Sequence, residues 1–209
     1  MNALKRVLPS SLPAEIAEME ERNNYSIVLK YKNEMENSPW IVDLSHCVKL
    51  DFQCNGNPET QAMGMDLPKK AGRAVCSGEW LVSALGPSQF SFIHILGKMV
   101  ELPEDHRFTD ITDGRCLFAM GGNGADRLMG KITRMNFSDS TLELPCVLQG
   151  PMLHTFGQLY ILEKAGQKIF LLSLGRGYAR SVIHAVLDIG APYGLTPSGL
   201  DRFTQAVTK

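Results

Sequence analysis

The spacing of apolar and polar positions changes period several times along this chain, and the changes mark out its elements. Ser10, Ser11 and Pro13 precede a segment running to about Arg22, whose polar side carries Glu15, Glu18, Glu20 and Glu21. Hydroxyl residues followed by a proline in the first turn signal a helix start, so an amphipathic helix with a wet acidic face is expected. Residues 25–31 alternate as a strand does, and 33–39 form a polar connector.

From there the pattern repeats. Residues 47–57 read as a period-two strand ending in a turn, followed by a short helix over 58–65. Residues 115–125 do the same, with a helix from about Ala125 to Ile132. Asn55-Gly56 then aligns with Asn123-Gly124, and Leu50 and Phe52 align with Phe118 and Met120. A second pair follows in the same order. Strand 80–85, a glycine turn and a helix over 88–99 match strand 169–174, a glycine turn and a helix over 177–189. Residues 141–148 and 154–163 supply further strands around Gly150-Pro151, a turn signal. Two pairs in one order predict an α+β fold of duplicated ferredoxin-like halves, about 40–102 and 110–200. An N-terminal segment, 1–39, precedes them, and a tail, 201–209, follows.

Composition narrows the function. The 209 residues carry 21 Lys+Arg against 22 Asp+Glu, so no basic surplus points to nucleic acid. The N-terminal residues lack the apolar core of a secretion signal, and no apolar run approaches a membrane span. A cytoplasmic protein is expected. Cys47, Cys54, Cys76, Cys116 and Cys146 are an odd set without a C-x-x-C pair, which reads as reduced thiols in apolar strands. His46-Cys47 are neighbours on a strand-like run and face opposite ways, which is poor metal geometry.

No catalytic site is expected from the motifs. Gly121-Gly122-Asn123-Gly124 lies between strand and helix but lacks the spacing and the Lys-Ser/Thr of a phosphate-binding loop. Gly175-Arg176-Gly177 is similar, with Arg176 able to pair with a carboxylate or phosphate. Asp105, Asp110 and Asp113 fall in a polar linker, 103–114, and read as turn and cap residues. Asp43, Ser45 and His46 are too close in sequence to build a triad, and no nucleophile-elbow motif exists.

Two longer segments carry a family resemblance. The segment from Trp40 to Phe52 (WIVDLSHCVKLDF) resembles the opening of the glycine-cleavage T-protein, or aminomethyltransferase, fold. The run Asp110 to Met129 (DITDGRCLFAMGGNGADRLM) is similar to a second segment of that superfamily. Residues 176–190 with Gly194-Leu195-Thr196-Pro197-Ser198-Gly199 resemble its closing helix and end. Length, Asp66-Leu67-Pro68 and Gly78-Glu79-Trp80-Leu81-Val82 are most similar to the gamma subunit family of heterotetrameric sarcosine oxidase.

The resemblance implies a T-protein folate-binding-like domain without the C-terminal barrel of the larger enzymes. It also implies a small, non-catalytic subunit of a multi-chain sarcosine or N-methyl-amine oxidase or demethylase-like system. The expected partner is a larger flavin- and folate-binding subunit, with no nucleic acid and no membrane. No cofactor is expected on this chain. The alternative is a divergent tetrahydrofolate-dependent aminomethyltransferase. Against it, the enzymes' Asp-Asp loop is missing here. Gly166-Gln167-Lys168-Ile169 also places a lysine where they carry a pterin-holding glutamate, and lysine cannot accept the pterin's N–H bonds. Phe90, Arg176 and Tyr178 are the expected partner-binding residues, since aromatics and arginine dominate interface energetics.

Overall fold

The computed structural model describes residues 6–9, 12–54 and 59–208. Its first elements are β1 (Ile16–Arg22) and β2 (Tyr25–Tyr31), an antiparallel hairpin in place of the expected helix. Asn23 and Asn24 explain the correction. Both adopt positive φ, 54° and 65°, as a tight two-residue hairpin turn requires, and asparagine tolerates that geometry. Ser10 and Ser11 lie outside the described residues.

The chain then builds β3 (Trp40–Asp43), β4 (Lys49–Gln53), β5 (Gln61–Ala62), β6 (Met65–Asp66), β7 (Ala74–Ser77), β8 (Trp80–Ala84), β9 (Gln89–His94) and β10 (Phe108–Asp110). After these come β11 (Arg115–Gly121), α1 (Ala125–Ile132), β12 (Cys146–Met152), β13 (Thr155–Lys164) and β14 (Gln167–Gly175). The last elements are α2 (Ala179–Gly190), β15 (Thr196–Pro197) and α3 (Leu200–Thr208). Residues 201–208 are therefore a helix with Phe203 fully buried, not a tail. Gly150-Pro151 sits within β12 rather than at a turn.

Two sheets form the body. One is five-stranded in the order β10-β4-β9-β8-β7, and the other six-stranded in the order β12-β13-β14-β11-β3-β15. The run β4-β9-β8-β7 repeats as β11-β14-β13-β12, antiparallel at every step. Leu50 pairs with Phe92 and Phe52 with Phe90, while Phe118 pairs with Leu172 and Met120 with Phe170. Leu50 and Phe52 thus occupy positions in β4 like those of Phe118 and Met120 in β11. The match of strand 80–85 with strand 169–174 does not hold in the sheets. β14 lies beside β11, so its counterpart is β9, and β8 corresponds to β13.

The first half has no helix among the described residues. Where α1 stands in the second half, the first has the β5–β6 hairpin, and the first half of the expected helix over 88–99 is β9. Phe90 and Phe92 point to one face of β9 and Ser91 and Ile93 to the other, a period of two that only a strand satisfies. Asn55, Gly56 and Pro58, the expected turn and helix start, lie outside the described residues.

Layering follows from these faces. Phe118, Met120, Phe170 and Leu172 pack under α1 and α2 with Leu128, Met129, Val182 and Ile183. The opposite face of the same sheet, with Leu117, Ala119, Tyr160 and Leu171, shares a cluster with Leu81 and Ile93 of the five-stranded sheet. The outer face of that second sheet, with Leu50, Phe52, Phe90 and Phe92, is covered by Ala62, Met65 and Leu67 around the small hairpin. Each such buried aromatic or aliphatic side chain contributes about 1.5–3 kcal/mol of transfer free energy.

Candidate functional site

Two strand crossings link the sheets. From β3 the chain leaves the six-stranded sheet and enters the five-stranded one at β4; from β10 it crosses back to β11. Both crossings use one device. The Asp43 Oδ1 accepts the N–H of Ser45 at 2.8 Å, and the Asp110 Oδ1 accepts that of Thr112 at 2.9 Å. The Ser45 hydroxyl then accepts the Leu117 N–H at 3.1 Å, and the Thr112 hydroxyl accepts the Lys49 N–H at 3.0 Å. Leu44 N–H donates to the Leu117 carbonyl, and Ile111 N–H to that of Lys49. An aspartate turn followed by a hydroxyl that satisfies the opposite half's first strand accounts for both Asp-x-Ser/Thr segments.

Charges are buried beside the first crossing. Lys49 is 1% exposed, and its Nζ donates to the carbonyls of Ser45 and Cys47 at 2.9 and 2.7 Å. Burial pulls its pKa down to about 8, against the raising effect of nearby acidic groups such as Cys47 and Asp43. His46 is pushed down to about 3 by burial first, then by Lys49 and Arg22, so the ring is neutral. Its Nδ1 has no partner among the described residues. Asp43, Ser45 and His46 therefore form a turn and not a triad.

A cavity of about 480 Å3 opens on the helix side of β3. Its floor is Tyr31, Val42, Asp43 and Ser198, all at most 9% exposed. Ile183 of α2 and Val28 of β2 form walls, while Ile16 and Met19 of β1 and Arg180 and His184 of α2 stand at the exposed rim. Gly199 positions the floor, because a Cβ there would meet the Leu29 carbonyl oxygen at 2.1 Å. That close approach seats β15 and the start of α3 on β2. Tyr31 is pushed up to about 12 by burial, with Asp43 and Glu34 adding, and so is a neutral hydroxyl.

The cavity was not foreseeable while residues 10–22 read as a helix, since one of its sides is the β1–β2 hairpin. The readable signal was Asn23-Asn24 between two apolar-bearing runs.

The other sequence candidates are dispersed. Phe90 is 5% exposed, inside the cluster with Phe52 and Phe92, so it is core rather than a docking residue. Tyr178 is 51% exposed, and Arg176 is half-buried, donating to the Val7 carbonyl and lying 3.8 Å from Asp113. Gly121 and Gly122 press on the Trp40 ring, where a Cβ would meet it at 2.5 and 2.9 Å, so this run serves packing. Gly122 would also meet the Ser38 carbonyl oxygen at 2.5 Å. Lys168 sits at the β13–β14 hairpin opposite Glu163, with Nζ 3.4 Å from the Phe137 carbonyl. The Asp105 carboxylate accepts hydrogen bonds from the backbone N–H and the guanidinium of Arg107, as expected of a turn residue. The cysteines are free, four buried and Cys76 exposed, and no His/Cys/Asp/Glu group among the described residues has metal-site geometry. Among the same residues no helix is long and apolar enough to cross a membrane.

Comparison with known proteins agrees on the fold. No family model matches the sequence. Over 104 residues the chain is 28% identical to sarcosine oxidase subunit alpha of Rhizobium meliloti (strain 1021). That stretch is 48% of this chain and 10% of the relative, so the match spans about a tenth of that protein. The structure is similar to a chain of heterotetrameric sarcosine oxidase from Corynebacterium sp. U-96, solved in complex with pyrrole 2-carboxylate. The TM-score is 0.63 at 14% identity, covering 77% of this chain and 87% of that one. It is also similar to the glycine cleavage system aminomethyltransferase T from Bartonella henselae, with TM-score 0.61 at 13% identity, covering 95% of this chain and 60% of that one. The chain has the fold shared by sarcosine oxidase and the glycine-cleavage T-protein.

Proposed function

We propose that this chain is a small, non-catalytic subunit of a multi-chain sarcosine or N-methyl-amine oxidase or demethylase-like system. The observation that carries the reading is coverage. The fold accounts for 87% of a whole chain in a heterotetrameric sarcosine oxidase but only 60% of the aminomethyltransferase. On this reading the redox cofactor belongs to a larger cytoplasmic partner and none to this chain. We also read its halves as copies of one ferredoxin-related unit. The repeated strand order and the paired Asp-x-Ser/Thr crossings support that reading, although the first copy has exchanged helices for a hairpin.

Tyr178 with Arg176 is the proposed docking point, an exposed ring beside a guanidinium at the start of α2. Affinity capture from the native host followed by mass spectrometry tests the assignment, with a flavoprotein partner as the expected result. The Arg176→Ala/Tyr178→Ala double variant should fold and lose most of that partner. Unchanged co-purification would discard this docking point.

A second reading, a tetrahydrofolate-dependent aminomethyltransferase, is favoured by the Asp43 carboxylate on the floor of a cavity next to Tyr31. Lys168 opposes it. Calorimetry with tetrahydrofolate should show no tight binding, and low-micromolar affinity would promote this alternative.

A further inference from the structure

The cavity between the β1–β2 hairpin and α2 contains groups that neither the fold nor the crossings use. Arg180 and His184 stand one helical turn apart on α2, both exposed, both on the rim, and neither forms an ion pair among the described residues. By contrast Arg6, also on the rim, is engaged by Asp113 and the Tyr25 ring. Behind these two side chains the walls are apolar, and Ile16 and Met19 leave 41% and 48% of their surface exposed at the opening. At the inner end Tyr31 holds its phenol as a neutral hydroxyl, and Ser198 is 2% exposed with no partner for its Oγ among the described residues. A buried hydroxyl without a partner is costly, and a small side-chain rotation toward a ligand would satisfy it.

From this arrangement we propose that the cavity binds an amphipathic carboxylate, acid group outward. The acid pairs with Arg180 and His184 at the mouth. An apolar ring or short chain lies between Val28, Met19 and Ile183, and a hydroxyl or N–H at the inner end meets Tyr31 and Ser198. The volume, about 480 Å3, falls in the range of small-molecule sites, roughly 300–1,000 Å3. A carboxylate suits the rim because a guanidinium offers it a two-pronged set of donors. The floor excludes the opposite orientation, since an acid placed inward would face the Asp43 carboxylate. The site belongs to this chain alone and does not depend on the subunit assignment.

Titration of the purified full chain with 4-hydroxyphenylpropanoate, followed by calorimetry and thermal shift, tests it. The acid should bind with a dissociation constant below about 1 mM, and its methyl ester about tenfold more weakly. Arg180→Gln should remove most of the difference between acid and ester while leaving the melting temperature of the free protein unchanged, because Arg180 is exposed. Val28→Trp, which fills the cavity, should abolish binding of both. If Val28→Trp does not fold, Met19→Trp at the rim makes the same test. No binding of the acid, or acid binding indifferent to Arg180→Gln and His184→Gln together, overturns the proposal. Binding of tetrahydrofolate without binding of the smaller acid also overturns it, and would shift weight to the transferase reading instead.

Discussion

The two crossings have the same hydrogen bonds and opposite surroundings. In the first, Leu44, Ser45, His46 and Cys47 are at most 1% exposed. In the second, the place of His46 is taken by Asp113, whose side chain is 55% exposed. The first crossing is covered because β2, α3 and the loop at Gly97 close over it; a Cβ on Gly97 would strike His46 Nε2 at 2.3 Å. The backbone device is therefore indifferent to burial, while the chemistry of the residue that follows the hydroxyl is not. A titratable group at that position should dominate pH dependence in the first crossing.

The largest expected effect comes from His46. Its folded pKa of about 3 lies below the ordinary histidine value, so between pH 6.5 and 3 the unfolded chain binds more protons. Stability from this group is thus complete above pH 6.5 and is lost as pH falls, by about 1.4 kcal/mol per pH unit. Urea unfolding of the native chain and of His46→Leu across that interval should show the native acid loss reduced in the variant. Parallel curves would mean that the crossing opens to water before it unfolds, which would erase the contrast.

Lys49 follows with the same sign in another window. Its folded value of about 8 is below the unfolded one, so the unfolded chain holds more protons from pH 8 to 10.5 and this contribution grows as pH rises. The difference in stability between the native chain and Lys49→Met should move in favour of the native chain by about 1 kcal/mol per pH unit. The comparison within a pair is needed because buried Cys47 and Tyr160, both pushed up to about 12, act in the opposite direction at alkaline pH. A difference independent of pH would place the Lys49 ammonium in solvent.

Smaller and more symmetric effects belong to the hydroxyls. Ser45→Ala leaves the Leu117 N–H without its partner, and Thr112→Val does the same to the Lys49 N–H. Each should cost about 1–3 kcal/mol, the usual penalty for an unpaired buried donor. Near-equal costs would sharpen the view that one device serves both crossings. A negligible cost for Thr112→Val alone would show that water replaces the hydroxyl there.

Much of this was legible in the sequence, and the failures have physical causes. The second half was readable because α1 and α2 bury residues three and four apart: Ala125, Leu128, Met129 and Ile132, then Ala179, Val182, Ile183 and Val186. The first half was misread where glycine turns and short apolar runs imitate helix starts. Residues 88–99 follow a Gly-Pro turn as residues 177–189 follow a glycine turn, yet Phe90, Phe92 and His94 sit two apart and not three or four. The cavity was hidden for a further reason. Its residues come from the segment before β1, from β1, β2, β3 and α2, and from the segment at Ser198, and nothing local in the sequence states that these converge.

The smallest expected effect, Asp113→Asn, probes the wet crossing at the position where His46 sits in the dry one. Asp113 accepts the Tyr25 hydroxyl and lies near Arg6 and Arg176, at 3.5 and 3.8 Å. With its side chain more than half exposed, those ion pairs are screened, and exposed pairs contribute at most about 1 kcal/mol. Asparagine keeps an oxygen to accept the Tyr25 O–H, so the substitution should cost less than about 1 kcal/mol. A second readout isolates the charge. Burial pushes Tyr25 up to about 12, with the Asp113 hydrogen bond and charge adding to it. Removing the negative charge should lower the tyrosine's midpoint in an ultraviolet pH titration while leaving urea unfolding almost unchanged. A large loss of stability would show that Asp113 holds the β1–β2 hairpin to the body through its charge, and the two crossings would then differ less than their exposure indicates.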